Sequence, residues 1–566
     1  MIRTLTGKVV TVTVKNGQFF IRPLKKAHKK HKEAAPKATY NAWVQENENR
    51  CFVQKEVEKK PLISVVVPAY NTEPSHFLAM VYSVVNQHYD NWELIIVNAS
   101  YNAKSKKEIA NSQEIDTRIK VVTPDKNLGI AGNTNFGLKH CTGDYIAFLD
   151  HDDLLHECAL HSIAAIADRT GAEIIYTDED KIKDDSSMFF EPFFKPRWSP
   201  DLFENVNYIN HFMAIKASCV QQVKGLRPKF DGAQDYDLLL RVIDEFELKI
   251  EHVSRILYHW RAAETSTAND FSTKGYVLEA GDQALKEHLE RRDIKGTAKA
   301  IKNMPGFYET LPTAPKHISV VVGPVDPANY RLCLVWLQEL RKTIDKNIKA
   351  ELIIGSWLKD YKLEEVFDEI HYLGAGNDMY WHEAGQTVSQ PTILCFSYAA
   401  LPDDEKAVSE LVAQASAGQA FVSPFVVGGR MILDAGLVES DHGKQRLFTG
   451  CELGDNTYYG YTGWVRDVAG LTLDIFATSR ENFAKLTDNK HGTTLTDVDL
   501  DKMKTADTRL IVNPRASFNF KGALTLDKFR NNQYFNPQLT QAHTDLYVKV
   551  SSWGNLKDLS ERNNVE

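Results

Sequence analysis

Residues 61–71 read PLISVVVPAYN and residues 143–155 read GDYIAFLDHDDLL. Each is a short apolar run that stops abruptly at polar residues, the pattern of a strand buried on both faces. Between them HFLAMVYSVVNQ (76–87) has helical spacing, WELIIVNAS (92–100) is another buried strand and IKVVTP (119–124) a third. Strands alternating with helical segments predict an α/β fold with a mostly parallel sheet. Such sheets bind ligands at the carboxyl ends of their strands. Tyr70 and Asn71, Asn98, Asp125, and Asp150 to Asp153 all fall at those ends.

The chain has 566 residues, which suits two to four domains. With 43% hydrophobic and 25% charged residues it has globular composition, not that of a disordered chain, a collagen or a coiled coil. No apolar stretch reaches the length of a membrane span, and the N-terminus lacks the apolar core of a signal peptide, so a cytoplasmic location is expected. The seven cysteines are scattered, without a CxxC or Cys/His cluster, which argues against a disulfide framework or a structural zinc site.

The net charge of −8 excludes general electrostatic binding to nucleic acid. Residues 1–38 nevertheless hold ten Lys/Arg and one acid, centred on KKAHKKHK from Lys25 to Lys32. Such an arm is either simply solvated or a contact for an anionic membrane leaflet, where each basic residue contributes about 1 kcal/mol. An RNA-binding tail is disfavoured because no aromatics interleave with the lysines. Ahead of it, KVVTVTV, a Lys-Asn-Gly-Gln turn and FFIRP predict a hairpin over residues 7–23, and residues 40–60 suggest a polar helix.

An internal repeat divides the rest. ISVVVP at 63–68 recurs as ISVVVG at 318–323, and ELIIVNAS at 93–100 as ELIIGSWL at 351–358, with spacings of 30 and 33 residues. GDYIAFLDHDDLL has its counterpart in QPTILCFSYAALP (390–402), where every acid after the strand is gone. Several elements in one order at similar spacing favour duplication over chance reuse of common strand words.

Three segments carry chemistry. In Asp150-His151-Asp152-Asp153 a strand ends in three acids, which repel one another unless a cation or donor is present. One acid would suffice to cap a helix starting near Leu155; three suggest a divalent metal with oxygen ligands, Mg²⁺ or Mn²⁺. In Gly232-Ala233-Gln234-Asp235-Tyr236-Asp237, followed by Leu238 to Arg241, Asp235 lies near a helix N-terminus and reads equally as a cap or as a functional carboxylate. In Leu257-Tyr258-His259-Trp260-Arg261 a lone histidine is more often structural, but Arg261 beside it suits bidentate phosphate binding.

Together, from Pro61 to about Ala268, the words SVVVPAYN, SVVNQHY, NWELIIV, NLGIAGNTNFGL, GDYIAFLDHDDLL, YTDEDKI, FKPRWSPDL, NYINHF, GAQDYDLLLR and LYHWR resemble, in order, the family 2 glycosyltransferases with the nucleotide-diphospho-sugar (GT-A) fold. The nearest branch is bacterial, making O-antigen, rhamnan and other cell-surface polysaccharides. The resemblance implies that Pro68, Tyr70 and Asn71 begin the nucleotide pocket, that Asn98 faces the base and that Asn127 lies in a nucleotide-side loop. It matches Asp150 and Asp152 to the DxD motif, with Asp152 the direct metal ligand, and Asp235 to the catalytic base. His259 matches a histidine closing the metal or diphosphate site, with Arg261 beside it. A single base with in-line displacement implies inversion at the anomeric carbon. Asn98 departs from the family's usual Asp, which leaves the choice between uridine and deoxythymidine open. Tyr176 to Asp180 match a strand end near the donor sugar, against a solvated acidic turn; His211 faces either the acceptor or the core. The QxxRW motif and membrane helices of processive synthases are missing, so transfer of one sugar per encounter is expected.

The expected organisation is therefore a hairpin and basic arm over 1–60, a catalytic GT-A domain over 61–310, a degenerate GT-A-like α/β domain over 316–525, and a C-terminal helix and tail over 526–566. In the second copy, Asp497 and Asp499 partly resemble the base-bearing helix, but NPRASFNF (513–520) lacks the histidine. That copy is expected to hold the acceptor, bind a partner or mediate a homodimer. Tyr458, Tyr459, Tyr461 and Trp464 read as core more readily than as a sugar-stacking surface.

The expected function is that of an inverting, metal-dependent hexosyl- or rhamnosyltransferase. It would move a sugar from a UDP- or dTDP-sugar to a saccharide or lipid-linked acceptor, peripherally at the inner membrane face. The alternative is a non-catalytic carbohydrate-binding scaffold in a synthesis complex. A nicotinamide-dependent oxidoreductase is excluded, since PAYNTEP stands where a GxGxxG turn is required.

Overall fold

A computed structural model of the chain describes residues 2–3, 9–15, 18–23, 57–262, 275–301, 306–325, 329–374, 378–397, 400–418, 420–429, 431–438, 444–448, 463–492, 494–503, 505 and 508–519. The basic arm, most of the expected helix over 40–60, Tyr458 to Tyr461 and the expected C-terminal helix and tail lie outside them. The N-terminal hairpin is present as strands Val9–Lys15 and Gln18–Pro23, paired antiparallel with Lys15 opposite Gln18.

The first large sheet contains β1 (Ile63–Ala69), β2 (Trp92–Asn98), β3 (Ile119–Val122), β4 (Tyr145–Phe148), β5 (Leu154–Leu155), β6 (Ile174–Lys183), β7 (Phe189–Phe193), β8 (Met213–Lys216) and β9 (Ile250–Ala262). Their order is β3-β2-β1-β4-β8-β6-β9-β5, with β7 beside β6. Strands β3, β2, β1 and β4 run parallel, β8 is antiparallel to both neighbours, and β6 and β9 run parallel. All seven residues of β2 are buried, as expected of a strand covered on both faces. Helix Gly129–Leu138 lies so close that a Cβ at Gly137 would stand 2.8 Å from Val97 and 3.0 Å from Val66, which only glycine permits. Leu154–Leu155 form β5 rather than a helix start; the helix begins at Ala159, so the acid turn before it is not a helix cap.

The second sheet contains β10 (His317–Val322), β11 (Lys349–Gly355), β12 (Glu369–Leu373), β13 (Thr392–Phe396), β14 (Leu401–Pro402), β15 (Ala420–Gly428), β16 (Met431–Asp434), β17 (Arg466–Asp467), β18 (Ile475–Ser479) and β19 (Arg509–Asn519). Its order is β12-β11-β10-β13-β18-β15-β19-β14, with β16 beside β15 and β17 beside β19. Apart from the added β17, this is the first sheet again, with the same parallel and antiparallel pairings. Even the polar brace is repeated. Glu93 accepts from the Ser64 hydroxyl at 2.6 Å and the Thr142 hydroxyl at 3.0 Å; Glu351 accepts from the hydroxyls of Ser319 and, at 2.6 Å, Ser389. Duplication, with the core kept, accounts for both halves.

The two sheets share one continuous apolar cluster, running from Ile146 and Tyr236 to Phe425 and Val512. Phe307 and Trp464, whose rings lie 5.7 Å apart, sit at the seam. Trp464 is 3% exposed and so belongs to the core. Among the described residues no helix is long and apolar enough to cross a membrane.

Candidate active site

The carboxyl ends of β1 and β2 are stitched together by Asn71. It adopts the left-handed conformation (φ 51°), which asparagine tolerates better than most residues. Its Oδ1 accepts from the amides of Tyr101 (3.1 Å) and Asn102 (3.0 Å), and its own amide donates to Ser100 Oγ at 2.9 Å. The result exposes Tyr70 and Tyr101, their rings edge to face at 5.8 Å, beside Pro68. Asn98 is a correction to the expected base contact: it is 2% exposed and donates to the Lys106 carbonyl at 2.9 Å, so its amide is used inside its own loop. Asn127 shapes the turn into helix Gly129–Leu138, accepting from Gly129 N (3.1 Å) and Asn133 Nδ2 (2.8 Å).

The three acids after β4 divide into two kinds. Asp153 is buried, accepts from the Tyr258 hydroxyl and, at 2.7 Å, from the Arg261 amide. Burial first, then Asp150 and Asp152, push its carboxyl well above the usual range, so it is a structural clamp onto β9. Asp150 and Asp152 keep open faces, with side chains 47% and 36% exposed. Burial raises the proton affinity of Asp152; His151 at 3.6 Å offsets this and Asp150 adds to it. Arg261 lies against the acid turn. Its guanidinium is buried, with Nε on the Asp152 carbonyl (2.7 Å) and one Nη on the Asp184 carbonyl (2.8 Å) and Ser186 Oγ (2.9 Å). These bonds shape the acid turn, and the second Nη is buried without a hydrogen-bond partner among the described residues.

The segment Thr177 to Asp180 is not a solvated turn but the buried middle of β6. Buried acids require partners, and each has them. Asp178 meets His252 Nε2 at 2.8 Å and the Lys195 amide at 2.8 Å. Glu179 meets Lys195 Nζ at 3.3 Å and the His211 amide, and Lys195 and His211 hold its carboxyl below the usual range against the opposing effect of burial. Asp180 meets His259 Nδ1 at 2.6 Å. That last bond holds the His259 ring, which is 5% exposed, by Nδ1, as a carboxylate does behind a metal-binding histidine, and is compatible with the expected metal role. Among the described residues, trios whose ligand atoms all lie within 4.8 Å of one another are His88–Glu157–Cys158 and Glu351–Glu369–His371; Asp150, Asp152 and His259 are not one.

His211 stands between the two groups of acids. Its Nδ1 lies 3.7 Å from Glu179 and its Nε2 3.9 Å from Asp150, and its ring stacks on Tyr258 at 5.0 Å. Burial disfavours its charge, but Glu179, Asp150 and Asp153 outweigh burial and raise it to about 9. Asp235 lies in the first turn of helix Gln234–Glu245, where the helix dipole favours a carboxylate. Asn207 Nδ2 (3.3 Å) and Asn210 Nδ2 donate to its Oδ2. Burial raises its proton affinity, His211 lowers it and Asp150 raises it, so these three groups share one electrostatic field. The neighbouring Asp237, 1% exposed, pairs with Arg227 and Arg241 and is structural. The structure thus groups Asp150, Asp152 and Asp235 with His211 and Glu179, which the sequence left open between a site and a structural reading, and with Lys195, whose importance it did not signal.

Register carries each position into the second copy. Phe425, Val426 and Val427 occupy the places of Asp178, Glu179 and Asp180, and Asn519 that of His259. Ser397 and Ala400 replace Asp150 and Asp153. Asp497 and Asp499 are closed by lysines, Lys444 at 2.7 Å and Lys490 at 2.6 Å.

Residues 64–221 match the family described as glycosyl transferase family 2. The chain is 27% identical over 548 residues to the O-antigen biosynthesis protein RfbC of Myxococcus xanthus, covering 86% of this chain and 41% of that protein. It is 30% identical over 252 residues to the amylovoran biosynthesis glycosyltransferase AmsB of Erwinia amylovora, covering 42% of this chain and 82% of that one. Among solved structures, S. aureus TarS 1–349 in complex with UDP-GlcNAc superposes with a TM-score of 0.33 at 18% identity, covering 41% of this chain and 72% of that one. The chain spans 28% and 41% of the length of two of the curated relatives it matches.

Proposed function

Because the chain belongs to the family 2 glycosyltransferases, we propose that it transfers a single sugar, with inversion, from a UDP- or dTDP-sugar to a saccharide or lipid-linked acceptor during bacterial surface-polysaccharide synthesis. We assign residues 61–310 to the catalytic domain and 316–525 to a copy that does not transfer sugar. The observation that carries the reading is Asp235, a carboxylate with raised proton affinity, oriented by Asn207 and Asn210 and coupled to His211 and Asp150.

Asp235 receives the proton of the attacking acceptor hydroxyl. Its raised proton affinity makes it a stronger base than a solvated carboxylate, and the two asparagine amides fix which oxygen faces the substrate. No second carboxylate is needed as a nucleophile, which is why inversion is proposed. Tyr70 and Tyr101 offer exposed rings beside Asn71 for the nucleotide base.

The donor set fits a hard divalent cation: Asp150 and Asp152 present half-open carboxylates, and Asp152 is raised by burial and by its neighbour's charge, which a cation would relieve. Mn²⁺ or Mg²⁺ would be held by Asp152 and Asp150 and would neutralise charge developing on the diphosphate leaving group.

Thermal-shift measurements with UDP-, dTDP- and GDP-sugars, with and without Mn²⁺, test this. A metal-dependent rise with one nucleotide, lost in Asp152→Ala, is expected. No rise with any donor would overturn the reading and favour a carbohydrate-binding scaffold.

A further inference from the structure

The degenerate copy holds a segment that carries part of the first copy's site. Residues 195–211 of the catalytic domain carry Lys195, Asn207, Asn210 and His211, all of which bond to the acids of the site or to one another. The same segment is gripped midway by the second domain. Ser199 Oγ donates to Asp467 on β17 at 2.6 Å, and the Asp467 amide donates back to Ser199 Oγ at 3.2 Å. Asp201 is paired with Arg509 on β19 at 2.5 Å. Arg515, also on β19, donates to Asn205 Oδ1 at 3.2 Å.

From this grip to the base the connection is short. The Ser199 amide donates to the Tyr208 hydroxyl at 2.8 Å, and Tyr208 adjoins Asn207, which donates to Asp235. Ser199 and Asp201 are 4% and 6% exposed, so these bonds are made away from competing water. Ser199, Asp201 and Asn205 lie 268 to 310 residues from their partners, so nothing local to the segment makes these bonds.

We propose that the second domain is the positioning element of the first copy's active site, with Asp467 and Arg515 as positioning residues that hold residues 199–205 and thereby aim Asn207 and Asn210 at Asp235. This rests on the transfer reading given above. It gives the copy that lost its own acids a task in the reaction of the other: misplacing a reacting geometry by about 1 Å costs roughly 100-fold in rate.

The test uses the full chain with Asp467→Ala, Asp467→Asn and Arg515→Met. Two quantities are read: hydrogen–deuterium exchange of residues 195–211, and kcat and KM for donor and acceptor. Exchange in that segment should rise in Asp467→Ala and Arg515→Met, while β1 to β4 stay protected. The value of kcat should fall about 10- to 100-fold with donor KM little changed. Asp467→Asn, which keeps an acceptor for Ser199, should restore most of both. Unchanged exchange in both disruptive variants would overturn the proposal, as would a kcat equal to that of the native chain. Raised exchange in a protein that transfers no sugar from any donor would instead remove the transfer reading and leave the grip in place.

Discussion

Asp235 and Asp152 are both carboxylates made more basic by burial, yet their surroundings separate their roles. Asp235 sits at a helix N-terminus with two amide donors on one oxygen, an arrangement that orients. Asp152 sits beside Asp150 and His151, an arrangement that attracts a cation. Replacing Asp235 by Asn keeps the shape and removes the base, so turnover should fall by about 10²- to 10⁴-fold while a donor thermal shift persists. Steady-state kinetics beside the thermal shift check this; native turnover in Asp235→Asn would move the base elsewhere. At this scale the sequence was legible only in part. The DxD acids and Asp235 stand out because three acids in four positions and an acid opening a helix are local patterns. Lys195 does not, and Glu179 and His211 stay ambiguous, because what makes them matter is a partner 14 to 32 residues away across the sheet. The bonds of Asn98, His259 and Arg261 were hidden for the same reason: residue type alone does not name Lys106, Asp180 or Asp152 as the partner.

At the scale of elements, the short strand β5 and the end of β9 are held by one buried carboxylate. Asp153 accepts from Tyr258 and from the Arg261 amide, fixing the acid turn against β9. Tyr258→Phe deletes one donor and leaves a buried, partly unsatisfied carboxyl, which should lower stability by about 1–3 kcal/mol. Chemical denaturation of native and variant protein measures it, and an unchanged midpoint would show that the clamp is dispensable. Elements themselves were largely readable. PLISVVVP, WELIIVN and DYIAF became β1, β2 and β4 because continuous apolar runs admit few alternatives to a covered strand, and the half-exposed IKVV became the edge strand β3. YTDEDK resisted, since polarity suggests solvent and only the facing Lys195, His252 and His259 make burial tolerable.

For the whole molecule, the seam between the copies should be sensitive to pH. Asp467 is raised to about 8, first by burial and then by Asp201, while Ser199 and Arg509 act the other way. Asp201 is itself raised by burial, with Arg509 lowering it and Glu204 raising it. In the unfolded chain Asp467 returns to its ordinary value of 3.8. Between these limits the folded protein holds a proton that the unfolded chain has released, so stability falls as pH rises toward 8. Thermal unfolding followed from about pH 5 to about pH 9 should show this loss in the native chain and a flatter profile in Asp467→Asn, which does not titrate. Equal slopes would show that Asp467 is not the group responsible. The duplication behind this seam was visible in the repeated words ISVVV and ELII, but the seam was not: contacts spanning 268 residues leave no periodicity to read.

The apolar stretch Phe425-Val426-Val427 works as a ratchet. Reinstating a carboxylate at position 397 alone would restore none of the acids that β6 supplies in the first copy, since Phe425, Val426 and Val427 stand in their places. Reinstating an acid within that stretch first would strand a charge in the core. Each single step back is therefore penalised before any benefit appears, whereas further drift in the same pocket costs little. A lineage that begins with two live copies can become one with a worker and a brace, but the return path is closed one substitution at a time.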